Sequence, residues 1–291
     1  MELIYPKNWK DYELIDCGDF EKLERFGSHI LIRPEPQAVW TKKLSQAEWE
    51  KSAHWKFIPK SSSSGEWKSL KKSTEQWKIK YELKNGSSLV FRLGLTSFKH
   101  VGVFPEQAVN WDCIHEQLIN IQKPKFLNLF AYTGGASLAA KASGAEVTHV
   151  DSIKQVVSWA NENRQHSGLG DIRWIIDDAL KFVKKENRRG SLYQGIILDP
   201  PAYGHGPNGE KWKLEDNISE MIHEACSILD PSQHVLILNA YSLGFSALVA
   251  KNLLSPYAKR YKSQLTVGEL YMPSNSGIDL PLGVWGRLVK S

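Results

Sequence analysis

Residues 127–151 read LNLFAYTGGASLAAKASGAEVTHVD, and this stretch decides the architecture. The apolar run Phe126 to Ala131 closes on the glycine turn Tyr132-Thr133-Gly134-Gly135. A small-residue segment, Ala136 to Ser143, predicts a helix, and a second apolar run, Val147 to Asp151, ends on a carboxylate. Strand, tight turn, helix and strand form the unit of a parallel sheet, whose neighbouring strands can be joined only by a crossover. Toward the C-terminus the pattern repeats. It predicts a helix over Lys154 to His166, with Val156, Val157 and Ala160 on one face, a strand over Ile172 to Ile176, and a helix over Ala179 to Glu186. A strand over Gly195 to Asp199, a helix over Glu215 to Leu229 and a strand over His234 to Asn239 follow. Continuous apolar strands alternating with amphipathic helices mean a sheet covered on both faces. Gly244 to Leu254 predicts one more helix, and the runs Gln264 to Tyr271 and Leu282 to Val289 an antiparallel edge.

Toward the N-terminus a helix is expected from Glu106 to Gln122, with Pro105 at its start and Pro124 beyond its end. Before it lie short alternating runs, His29 to Arg33, Trp77 to Leu83, and Ser88 to Leu93 after the turn signal Asn85-Gly86. Ser61 to Gly65 is the most flexible loop by composition. The expected division is a mostly β, substrate-binding region over 1–100 and a larger α/β domain over 101–291.

The composition excludes several classes. With 291 residues, 42% of them apolar, and 11 Trp, 10 Tyr and 10 Phe, the chain has enough apolar bulk to offset the entropy of folding, so it is not disordered. No stretch approaches the ~20 apolar residues of a membrane helix, and MELIYPKNWK at the start lacks the apolar run of a secretory signal. A cytoplasmic protein with no membrane partner is expected. Cys17, Cys113 and Cys226 are too few and scattered for a disulfide framework, and no pair has C-x-x-C spacing. They are expected to be small buried residues, and no metal site is expected.

Charge is uneven. Residues 51–100 carry 11 Lys/Arg against 3 Asp/Glu, whereas residues 101–291 carry 19 of each. Trp55, Phe57, Trp67, Trp77, Tyr81, Phe91 and Phe98 stand in this basic block among Lys71, Lys72 and Lys78. Cations neutralise phosphates and flat rings stack on unpaired bases, so the block has the composition of a single-stranded RNA grip. A small sheet with aromatics inside and lysines in water has the same composition.

In an open α/β sheet, ligands lie outside the carboxyl ends of the strands. Those positions hold the Gly134-Gly135 turn, Asp151, Asp177-Asp178 and Asp199-Pro200-Pro201-Ala202-Tyr203. A single strand-end carboxylate is commonly a helix cap. The succession fits a nucleoside ligand better than a nicotinamide dinucleotide, because G-x-G-x-x-G is absent.

The segments LNLFAYTGGASLAAKASGAEVTHVD, IIDDALKF and ILDPPAYGHGPNGEKWK, in this order and spacing, resemble motifs I to IV of class I S-adenosylmethionine-dependent methyltransferases. They are most similar to the large-subunit rRNA methyltransferase group related to the cytosine-C5 enzymes. The resemblance implies a Rossmann-like sheet, S-adenosyl-L-methionine as cofactor and RNA, foremost rRNA, as partner. It also implies a cofactor site of Ala131, Tyr132, Thr133, Gly134, Gly135, Asp151, Ser152, Asp177, Asp178 and Asp199. Within it, Asp151 would hold the ribose hydroxyls and Asp178 the adenine amine. Asp199, Pro200, Pro201 and Tyr203 would form the catalytic turn. Substrate contacts are expected from Lys71, Lys72, Trp77, Lys78, Tyr203, His205 and Tyr241, with 205–213 as a mobile lid.

One departure stands out. Cytosine-C5 methylation needs a thiolate, and neither Asp199-Pro200-Pro201-Ala202 nor Asn239-Ala240-Tyr241-Ser242 carries a cysteine. Such a site suits an acceptor with its own lone pair, an exocyclic base nitrogen or a ribose hydroxyl. Two other functions stay open at this point: an RNA-binding protein that keeps the adenosyl pocket without turnover, and a nicotinamide-dependent oxidoreductase. The oligomeric state, monomer or homodimer, is also open.

Overall fold

The computed structural model describes residues 1–61, 64–242 and 244–290. The chain forms two units: Met1–Ile4 with Gln107–Leu270 and Gly283–Ser291, and Tyr5–Glu106 with Tyr271–Leu282. They are not consecutive in sequence as a cut at residue 100 implies. The first strand, β1 (Glu2–Ile4), pairs in parallel with a late strand of the larger sheet, and a late hairpin falls with the N-terminal region.

The smaller unit holds β2 (Tyr12–Gly18), β3 (Glu21–Phe26), β4 (His29–Pro34), α1 (Gln46–Ser52), β5 (Trp55–Pro59), β6 (Gly65–Ser69), β7 (Gln76–Glu82) and β8 (Ser88–Gly94). Strands β2 to β6 form one sheet in sequence order, and β7 and β8 form an antiparallel hairpin across Asn85-Gly86. Ser45 and Glu48 close a capping box at the start of α1, which lays Trp49 on Leu23, Ile32 and Ala53. Two carboxylates are buried beneath this sheet, and both are closed by protein donors. Glu24 takes both arms of the Arg33 guanidinium at 2.8 Å and the Tyr12 hydroxyl at 2.9 Å. Asp16 accepts from the Leu44 amide at 2.9 Å and the Trp49 indole at 3.0 Å. Of the loop expected at Ser61 to Gly65, Ser62 and Ser63 lie outside the described residues.

The basic block resolves largely into core. Trp55, Phe57, Tyr81 and Phe91 are buried, and a ring inside the core cannot stack on a base. Trp77 is half-buried with His29 stacked on it at 4.1 Å, while Lys71, Lys72 and Lys78 are exposed.

The larger unit contains α2 (Ala108–Leu118), β9 (Lys125–Leu129), α3 (Gly135–Ala142), β10 (Glu146–Asp151), α4 (Lys154–His166), β11 (Arg173–Ile176), α5 (Ala179–Arg188) and β12 (Gly195–Leu198). Then come β13 (Tyr203–His205), β14 (Lys211–Lys213), α6 (Leu214–Ser227), β15 (His234–Ala240), α7 (Ala247–Tyr261), β16 (Gln264–Pro273) and β17 (Asp279–Lys290). The eight-stranded sheet runs β1-β16-β17-β15-β12-β9-β10-β11. The ladders linking β15, β12, β9, β10 and β11 are parallel, and β17 runs antiparallel to β15. This is the expected mixed α/β sheet with an antiparallel segment. One side packs Leu127, Leu129, Ile196, Leu198, Leu236 and Leu238 against α5, α6 and α7.

Several boundaries differ from the sequence expectation. A 3-10 turn, Pro105–Gln107, precedes α2, which ends at Leu118 rather than Gln122. Strand β9 stops at Leu129 because Phe130 turns the backbone to a φ of 57°. Helix α7 starts after the cap Ser246 and runs through Pro256 to Tyr261; Leu243, before it, lies outside the described residues. The stretch expected as a mobile lid forms the antiparallel hairpin β13–β14, pinned by the buried Trp212.

Candidate active site

From β9 the chain crosses to β10 and β11 on one side and to β12 and β15 on the other, so strand order reverses between β9 and β12. The crevice outside such a reversal is where a parallel sheet receives a ligand.

The glycine turn forms one wall. Phe130 and Tyr132 take left-handed backbone at φ 57° and 48°, and Gly134, at φ 90°, is the N-cap of α3 without a side-chain cap. The first amides of α3 are therefore left for a ligand or water. A Cβ on Gly135 would overlap the indole of Trp111 in α2, so only glycine lets the two elements meet. Asn163 of α4 holds the turn by donating to the Thr133 carbonyl at 3.0 Å.

Beneath the turn lies a polar network that sequence reasoning missed. Asn128 donates to the Ser137 hydroxyl at 2.9 Å, and that hydroxyl meets His149 Nδ1 at 3.0 Å. Burial pushes His149 down to about 3, so the ring is neutral. Its Nε2 is buried without a partner. A hydrophilic residue at an inward position of β9, Asn128 between Leu127 and Leu129, was the available signal.

Asp151 accepts from the Tyr132 amide at 2.9 Å and the Ile153 amide at 3.0 Å, which ties the end of β10 to the turn. Burial raises its carboxyl above the ordinary range, while these amides and that of Ser152 pull it back. With three backbone amides on its roughly four acceptor positions, the carboxylate keeps room for a ribose hydroxyl. The carboxylates after β11 have visible local partners. Asp178 caps α5 by accepting from the Lys181 amide at 2.8 Å, and Asp177 pairs with Lys185 at 2.7 Å.

Asp199 follows β12. It accepts from Asn239 Nδ2 at 2.7 Å across the β12–β15 ladder, and burial pushes its carboxyl up to about 6 against that hydrogen bond. Pro200 is buried, and Trp212 fixes the turn by donating to the Pro201 carbonyl at 2.7 Å. Tyr203, 58% exposed, lies 3.2 Å from His205 Nε2 through its hydroxyl, and Tyr241, after β15, is 37% exposed. The structure thus gathers Ala131 to Gly135, Asp151, Asp199 and Pro200 at adjoining strand ends. Lys71, Lys72, Trp77 and Lys78 belong to the other unit.

The three cysteines are buried: Cys17 in β2, pushed up to about 11, Cys113 in α2, and Cys226 in α6, raised further by burial. Among the described residues no cluster of His, Cys, Asp and Glu is arranged to hold a metal ion, and no helix is long and apolar enough to cross a membrane.

An adenosyl sulfonium fits these groups. The side-chain-free turn leaves room for backbone approach, and Asp151 and Asp199 set carboxylates at adjoining strand ends, which suits a cationic ligand that carries hydroxyls.

Comparison with known proteins agrees. A family model described as S-adenosylmethionine-dependent methyltransferase matches residues 43–244. The crystal structure of a SAM-dependent methyltransferase from Agrobacterium tumefaciens is 36% identical, with a TM-score of 0.92, over 100% of this chain and 94% of that one. A structure in complex with SAH, described as a candidate methyltransferase, shares the fold at 17% identity and a TM-score of 0.72, over 97% of this chain and 76% of that one. The ribosomal RNA large subunit methyltransferase K/L of Shewanella frigidimarina is 29% identical over 153 residues, 51% of this chain and 21% of that protein. The chain thus spans about a fifth of the length of that curated relative. With the family match covering both the glycine turn and Asp199-Pro200-Pro201, the chain belongs to the S-adenosylmethionine-dependent methyltransferases.

Proposed function

We propose that this methyltransferase acts on a base of RNA, with large-subunit rRNA as the first candidate, in the cytoplasm. The observation that carries the reading is the turn after β12. A half-buried carboxylate, Asp199, and a proline turn held through the Pro201 carbonyl stand beside the glycine turn, with the exposed rings of Tyr203 and Tyr241 on the segments that follow β12 and β15. Exposed aromatic rings there suit a base taken out of its stack. The curated relative's name supports rRNA as the polymer.

S-adenosylmethionine, when bound, supplies a methyl group already electrophilic on its sulfonium. The chain's task is positioning and exclusion of water. In this reading Asp151 holds the ribose, the Ala131 to Gly135 turn and the first amides of α3 lie against the methionine portion, and Asp178 keeps one oxygen for the adenine amine while capping α5. Ser152 and Asp177 flank these contacts. Asp199 and the Pro200 carbonyl orient the acceptor, Pro201 anchors the turn through Trp212, and His205 steadies Tyr203. Lys71, Lys72 and Lys78 hold the RNA backbone, with Trp77 beside them. The 1–100 region serves as the substrate grip.

Radiolabelled S-adenosylmethionine with total RNA from a strain lacking the gene tests the reading. Label in large-subunit RNA, and one methylated nucleoside missing from the deletion strain by mass spectrometry, is the expected outcome. Tight cofactor binding with no label in any RNA would instead favour a pocket kept without turnover.

A further inference from the structure

We infer that Asn239 is a positioning and specificity residue which, together with Asp199, selects an acceptor presenting N–H donors: the exocyclic amine of a nucleobase. This rests on the methyltransferase reading of the site and deepens it.

Asn239 is 1% exposed and sits near the end of β15, in register beside the end of β12, where Leu238 pairs with Leu198. Its Nδ2 is committed to Asp199 Oδ1 at 2.7 Å. Its Oδ1 is buried and has no hydrogen-bond partner among the described residues. A buried amide oxygen without a donor costs about 1–3 kcal/mol and is seldom left so. Asp199 is in the same condition: the Asn239 amide is the one protein donor found on it among the described residues. At two neighbouring strand ends a carboxylate and an amide thus keep acceptor positions that no donor among the described residues fills.

This array discriminates among acceptors. A primary amine brings two N–H groups and answers both partners. A ribose hydroxyl brings one donor, and a ring nitrogen with a lone pair, or a pyrimidine C5, brings none at the reacting atom, so such acceptors leave a buried group unpaired. Transfer to an amine forms one N–C bond from the nitrogen lone pair, breaks the S–C bond with its electron pair left on sulfur, and releases one N–H proton. Asp199 is the base beside it.

Two ligands read the array without RNA. Sinefungin carries an amine in place of the sulfonium methyl, and S-adenosylhomocysteine carries nothing there. Calorimetry on the full chain should show sinefungin binding more tightly, by about 10-fold or more. In Asn239→Leu that advantage should fall at least about 10-fold, with S-adenosylhomocysteine affinity held. In Asn239→Asp, which keeps acceptors at the position, the advantage should persist. A wild-type ratio near one, or an equal loss for both ligands in Asn239→Leu, would overturn the inference. If Asn239→Leu fails to fold, loss of the sinefungin advantage in Asn239→Asp overturns it instead. These readings stand whether or not RNA is the substrate. If RNA is labelled, a product methylated on an exocyclic amine supports the inference, and a C5- or ring-nitrogen-methylated nucleoside refutes it while leaving RNA methylation intact.

Discussion

The two units bury carboxylates to opposite ends. In the smaller unit, Glu24 and Asp16 are surrounded by donors from their own chain: an arginine fork, a tyrosine hydroxyl, an indole and backbone amides. In the larger unit, Asp199 is half-buried, yet one asparagine amide is its partner among the described residues, and that buried asparagine keeps an empty acceptor of its own. Closed charges hold a fold together. An open one, costly to leave unpaired, marks the place where a ligand completes the structure.

The largest effect should come from opening a closed pair. Glu24→Leu leaves the Arg33 guanidinium buried without its anion, and a loss of about 3–5 kcal/mol is expected in denaturant unfolding. The double variant Glu24→Leu/Arg33→Met should recover most of it, with S-adenosylhomocysteine affinity unchanged throughout. A double variant as unstable as the single one would break the contrast.

Asp199→Asn should behave in the opposite way. Burial raises this carboxyl from the ordinary 3.8 to about 6, so the folded chain holds the proton more tightly than the unfolded chain does. Stability therefore declines as pH rises from about 4 through 6, and the loss persists above that range. The variant should be more stable than the parent at pH 8, by about 1–3 kcal/mol, and equal to it near pH 3. Methyl transfer should fall about 100-fold or more. Thermal unfolding across pH, alongside label incorporation, reads both.

Gly135→Ala probes the opposite wall. Its new methyl meets the Trp111 ring, so a cost of about 1–3 kcal/mol is expected, together with weaker cofactor binding. Trp111→Phe in the same chain should return part of both. The smallest effect belongs to the basic block. Reversing Lys71, Lys72 and Lys78 to Glu should lower RNA affinity without touching cofactor affinity, and should flatten the dependence of log affinity on log salt by about 2. An unchanged slope would make these lysines plain solvated surface.

The parallel sheet was legible because its strands are unbroken apolar runs ending in turn residues, as in Gly195 to Asp199 and His234 to Asn239. The glycine turn and Asp151 were legible for the same reason. Other features depend on tertiary packing. Nothing in the sequence marks Phe130 as left-handed, and Pro256 reads as a stop although α7 continues past it. The aromatics of the basic block alternate with lysines, so rings that stack on a base and rings that fill a core have the same pattern; packing chose the core for Trp55, Phe57, Tyr81 and Phe91. Asn239 is not legible in the sequence, because one amide at the end of an apolar strand looks like the start of a loop. Its role appears only when β12 is set beside β15. Glu2–Ile4 is too short and too exposed to show periodicity, so its place in the sheet could not be read.

That short first strand matters for anyone handling the protein. Glu2 to Ile4 pair with Gly268 to Leu270, and the Glu2 carbonyl lies so close to Gly268 that no side chain fits between them. Trimming those residues would bare the rim of β16, a ladder of unpaired amides and carbonyls that another chain can adopt. Purification handles are better carried elsewhere, and preparations clipped at the amino end should be the ones that precipitate.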